Sequence, residues 1–141
     1  MTSILNDYTT THAALAVILA TVLIQQLIAS GKKAKAPGAI PGKMDDNLGH
    51  ESVVFRTQRT WMNSLENLPA LLGTAFLAMF VGADPTWTGI LVWVFAMARI
   101  LHMALYYAIA TDVNPSPRSW FFLIGFFANV VLLVFCVVAL L

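Results

Sequence analysis

In 141 residues, 59% are hydrophobic and only 11% are charged. So few polar side chains cannot cover the surface of a soluble domain, and a mean hydropathy of +0.77 makes lipid part of the solvent. A net charge of +1 gives no electrostatic basis for holding nucleic acid, and a single cysteine, Cys136, excludes an intramolecular disulfide.

The first long apolar stretch, residues 9–30, holds no Asp, Glu, Lys or Arg. A helix needs roughly 20 apolar residues to cross a bilayer core, so this stretch reads as a membrane span. A cleaved signal peptide is the alternative. It fits less well, because residues 1–12 contain no Lys or Arg and Asp7 is their one charged side chain. His12 falls near the end of this span and reads as an interfacial residue.

Residues 31–60 form a basic connection containing Lys32, Lys33, Lys35, Lys43, Arg56 and Arg59, with turn signals at Pro37-Gly38 and Pro41-Gly42. It reads as irregular and partly mobile. The second span, 61–83, carries one charge, Glu66, and its helix is expected to begin before its apolar part. Pro69 inside it is expected to kink the helix just beyond Glu66. A short acidic turn, Gly82-Ala83-Asp84-Pro85, makes the second span and the third, 86–110, an antiparallel hairpin. The third also carries a single charge, Arg99. A second connection, 111–118, adds Arg118 at the end of Pro115-Ser116-Pro117-Arg118, and the last span, 119–141, is uncharged.

The positive-inside rule, applied to the Lys and Arg of 31–60 and to Arg118, places these two connections in the cytoplasm and both termini on the opposite side. Trp61 and Trp120 then fall near one interface and Trp87 near the other. The expected fold is all-α: a single domain over 1–141, an antiparallel four-helix bundle integral to the membrane.

Its chemistry is concentrated in two polar stripes. On the second helix Arg56, Arg59, Asn63 and Glu66 are spaced 3, 4 and 3 apart, which puts them on one face; on the third, Arg99, His102 and Tyr106 are spaced 3 and 4. Counted from Asp84, Glu66 lies 18 residues back, while Arg99 lies 15 and His102 18 forward. At about 1.5 Å per residue these depths match within a turn, so Glu66 and Arg99 are expected to form a buried ion pair. Unpaired, either charge costs at least a few kcal/mol near the membrane centre. That pair alone is as readily structural as functional, but two graded stripes describe a lined cavity. Arg118 alone reads as an interfacial anchor. Met79, Met97 and Met103 read as packing, Asn129 as a cross-helix hydrogen-bonding residue and Cys136 as too deep to be a reactive thiol. No metal site is expected.

The run Arg59-Thr60-Trp61-Met62-Asn63-Ser64-Leu65-Glu66 resembles the R-x-x-x-N-x-x-E motif of the MAPEG family, membrane proteins of eicosanoid and glutathione metabolism. Arg99-Ile100-Leu101-His102-Met103-Ala104-Leu105-Tyr106 is similar to that family's R-x-x-H-x-x-x-Y. Pro117-Arg118-Ser119 resembles its P-x-R-S with one residue missing. The likeness covers about residues 51–125.

The resemblance implies a homotrimer with an active site between each pair of neighbours, holding glutathione as co-substrate near the cytoplasmic side. It implies glutathione contacts at Arg59, Asn63, Glu66, His102, Tyr106, Arg118 and Ser119. It makes Arg118, with Ser119, the group that stabilises the glutathione thiolate. The partners it implies are membrane lipids and a lipophilic small-molecule electrophile. Met62, Phe122 and Phe126 depart from the prostaglandin synthase pattern, which favours a general transferase or peroxidase of the bacterial type over an isomerase. Two other readings stand beside it: a non-catalytic lipid-binding scaffold of the same fold, and a small transporter or channel. The latter is disfavoured by the uncharged first and fourth spans.

Overall fold

The computed structural model describes residues 6–43, 45–113 and 115–141. Four helices carry it: α1 (Thr9–Ala34), α2 (Val53–Val81), α3 (Pro85–Ala108) and α4 (Pro117–Leu140). All four are long and apolar enough to cross a membrane, and no strand occurs among the described residues.

The helix ends follow local chemistry. α1 continues through residues 31–34, placing Lys32 and Lys33 in its last turn, where cations suit the negative end of the helix dipole. α2 begins at Val53, eight residues before the apolar span, because Ser52 caps it by accepting from the Phe55 amide at 3.4 Å. Gly82 ends α2 in the left-handed conformation at φ 72°. Asp84 then caps α3 through the Trp87 amide at 2.9 Å, with Pro85 at the first helical position. Pro117 opens α4 in the same way. Pro69 lies inside α2, whose helix continues through it.

α2 and α3 occupy the middle, with α1 packed on both of them and α4 on both. The apolar core sits toward the α2–α3 turn. It is built from Ala14, Leu15 and Ile18 of α1, Leu71, Ala75 and Ala78 of α2, Val92, Phe95 and Ala96 of α3, and Ala128, Leu132 and Cys136 of α4. Steps of three and four keep each set on one face, and its many small residues let the backbones approach closely. Gly89 is one such place: a Cβ there would meet the Thr10 side chain at 3.2 Å.

Three polar ties cross this region. The Tyr8 hydroxyl donates to the Ala83 carbonyl, Thr74 donates to Asn129 on α4, and the Cys136 thiol donates to the Thr74 carbonyl at 3.5 Å. Asn129 thus makes the cross-helix bond expected of it. Burial, helped by Asp7 and Asp84, raises the Tyr8 phenol above its ordinary pKa and keeps it a neutral donor. Outward, Leu23, Leu27, Phe80, Phe127 and Val138 are exposed, an apolar exterior suited to acyl chains.

Candidate functional site

At the other end of the bundle, where the two long connections lie, the interior is polar. α3 turns Arg99, His102 and Tyr106 inward, at 5%, 4% and 9% exposure. Their steps of three and four are those expected from the sequence, and burial confirms the shared face. α2 meets them with Arg56, Thr57, Thr60 and Ser64, all buried. Thr57 and Thr60 return their hydroxyls to carbonyls one turn back, so they line the interior without demanding partners.

The Arg99 guanidinium finds neutral acceptors. One Nη donates to Asn63 Oδ1 at 2.6 Å and to Ser64 Oγ at 3.2 Å. The expected Glu66–Arg99 ion pair does not form within the chain. Glu66 instead lies 3.8 Å from Arg59, with both side chains about half exposed. Helical geometry explains this. At about 100° per residue, Glu66 sits some 160° around α2 from Ser64, whereas Asn63 is only about 100° away and reaches inward. Arg99 is level with the turn of α2 that holds Asn63 and Ser64, and azimuth decides which group arrives. The four-residue stripe of α2 therefore divides: Arg56 and Asn63 at the edge of the interior, Arg59 and Glu66 on the outer flank.

Further along α3, the Arg118 guanidinium lies over the Tyr106 ring at 4.1 Å, a cation–π contact. It is held there by donating to the carbonyls of Thr111 at 2.8 Å and Ile109 at 3.4 Å. Arg118 is buried at 8% exposure, which overturns its reading as a simple interfacial anchor. Two of its five N–H groups are thereby used, leaving donors for an anion. Ser119 hydrogen-bonds Ser116 at 3.1 Å. The His102 ring meets Tyr106 edge-on at 5.5 Å.

The cluster is closed by residues that sequence reading did not select. His50, in the loop before α2, places Nε2 3.0 Å from the Tyr106 hydroxyl and pairs through Nδ1 with Asp112 of the α3–α4 connection. Arg56 ties that loop down, donating to the carbonyls of His50 at 2.6 Å, Glu51 at 3.0 Å and Tyr107 at 3.4 Å. The available signal was position: His50 stands two residues before the Ser52 cap, so its backbone is fixed by the start of α2.

Several buried donors here have no partner: Arg99 Nε, Arg56 Nε and His102 Nδ1. Buried polar atoms are normally satisfied, and a cluster of orphans beside three guanidinium groups suits a polar, anionic ligand. Among the described residues, no group of three or more His, Cys, Asp or Glu could hold a metal ion.

Of the residues selected from sequence, His102, Tyr106 and Arg118 are in mutual reach, and Asn63 joins them through Arg99. Arg59 and Glu66 stand apart on the flank, and Ser119 is turned to Ser116. The model of the MAPEG family matches residues 9–138 of the chain, nearly its whole length. No curated protein and no solved structure matches it.

Proposed function

The chain belongs to the MAPEG family, and from that premise we propose that it is a membrane-bound glutathione transferase working as a homotrimer of antiparallel bundles. The observation that carries this reading is the buried cluster of Arg99, His102, Tyr106 and Arg118, with its unpartnered donors, at one end of an otherwise apolar bundle. A purely lipid-binding scaffold has no use for so many groups suited to carboxylates.

In this reading Arg99, Asn63 and Arg56 hold the polar body of glutathione, and glutathione supplies the thiol nucleophile. A free thiol has a pKa of about 8.5, so work at neutral pH requires its anion to be favoured. Arg118 does this electrostatically, in a setting sheltered from bulk water. Its stacking on Tyr106 and its two carbonyl bonds fix its position beforehand, so little reorganisation is needed. Arg59 and Glu66 lie on the flank of α2, where a neighbouring subunit completes the pocket, and Glu66 receives the glutathione ammonium.

The second substrate is lipophilic: an electrophile, or a lipid hydroperoxide for a peroxidase reaction. An apolar groove of about 470 Å³ on the outer face of α3 and α4, lined by Trp93, Met97, Leu101, Phe121 and Ile124, offers such molecules a berth from the bilayer side. The two long connections face the cytoplasm, the compartment that supplies glutathione. The test is calorimetric titration of reduced glutathione into the detergent-purified protein, then turnover with a generic aromatic electrophile. Saturable binding with conjugate formation is expected, and absence of both sinks the proposal.

A further inference from the structure

We propose that His50 and Asp112 form a proton-accepting dyad that takes up the thiol proton through the Tyr106 hydroxyl. The inference rests on the glutathione reading above and adds the part it lacks. Arg118 favours the thiolate but, as a permanent cation, takes no proton away.

The geometry is specific. A carboxylate only accepts hydrogen bonds, so Asp112 requires that Nδ1 of His50 carry the hydrogen. In the neutral ring Nε2 then presents its lone pair, and it lies 3.0 Å from the Tyr106 hydroxyl, which donates to it. The same Tyr106 ring lies under the Arg118 guanidinium at 4.1 Å. Imidazole acceptor, phenol and thiolate-stabilising cation are thus contiguous. The backbone of His50 is pinned by Arg56, so the ring is placed by two independent tethers, one from α2 and one from the α3–α4 connection.

The step balances without any other reactant. The thiol S–H bond breaks and its proton passes to the Tyr106 oxygen as the phenol's own proton passes to His50 Nε2. The sulfur retains the electron pair beside Arg118, and the imidazolium is stabilised by Asp112. Proton release to water from the exposed side of the loop resets the dyad, since Asp112 is 81% exposed. The charged and titratable groups around His50 are Asp112 from the connection, Arg56 from α2, Tyr106 and His102 from α3, and Arg118 from α4, beyond the phenol. Tyr106 touches the reacting atoms in this scheme, while His50 and Asp112 act through it as positioning and proton-accepting residues.

Three measurements test it on the full-length protein in detergent: calorimetric affinity for reduced glutathione, the pH profile of thiolate absorbance in the ultraviolet, and turnover with an aromatic electrophile. His50→Gln and Asp112→Asn are expected to bind glutathione within about threefold of the parent. Both should move the thiolate midpoint upward by about one pH unit and lower turnover about tenfold or more. Asp112 is exposed, so its variant is expected to fold normally and is decisive. An unshifted profile in Asp112→Asn, with glutathione still bound, overturns the dyad and leaves the transferase reading standing. Failure of the parent protein itself to bind glutathione overturns both.

Discussion

The two ends of this bundle are built on opposite principles. Toward the α2–α3 turn, small and branched apolar side chains close-pack, and Leu71, Ala75, Val92, Leu132 and Cys136 are fully buried. Toward the long connections, the same four helices bury arginines, a histidine and a tyrosine and leave donor atoms without partners. In a membrane, burial of apolar side chains gains little over lipid, so the first end is stabilised by packing contact and the occasional hydrogen bond. The second end bears an electrostatic cost that packing must offset. Such cost is characteristic of sites kept for a ligand.

Substitutions that strike one end should therefore leave the other's property intact. The largest effect is expected for Arg118→Ala, which should lower transferase turnover by about a hundredfold or more while thermal stability stays near that of the parent. Its check is thiolate absorbance with glutathione bound; an undiminished signal removes Arg118 from that role. At the opposite end, Leu132→Ala should cost about 2 kcal/mol in mixed-micelle unfolding, since a cavity opens but no transfer from water is lost. Its glutathione affinity should not change.

Glu66→Gln sharpens the contrast between the inward and outward faces of α2. With Arg59 as its exposed partner at 3.8 Å, the substitution should leave unfolding within about 0.5 kcal/mol, yet weaken glutathione binding about tenfold. A loss of folding yield instead would restore the buried pair with Arg99. Gln25 belongs to the polar end, one turn beyond Val22, which faces Ser64 and Arg99: it is fully buried on α1 and neither amide atom has a partner. Gln25→Met is accordingly expected to raise stability by about 1 kcal/mol.

The smallest effect belongs to Tyr8→Phe, which removes the tie to the Ala83 carbonyl and should cost up to about 1 kcal/mol. Its pH signature has a definite sign. The folded phenol's pKa is raised, so its contribution is whole below the unfolded phenol's value of about 10 and is lost as pH climbs through the folded one. The parent's stability should fall faster than the variant's in that alkaline range.

Much of this was open to inspection in the chain itself. Span count follows from composition, because lipid imposes a length and excludes charge. The inward face of α3 follows from the steps of Arg99, His102 and Tyr106, since helical periodicity alone aligns them. Tertiary structure decided the partners. Arg99 takes Asn63 and Ser64 rather than Glu66, because the rotational setting of α2 against α3 is fixed by packing along the whole interface and by no local pattern. His50 meets Asp112 across 62 positions, and a pairing between two irregular connections leaves no period to read. It exists only once the helices have brought the loop ends together.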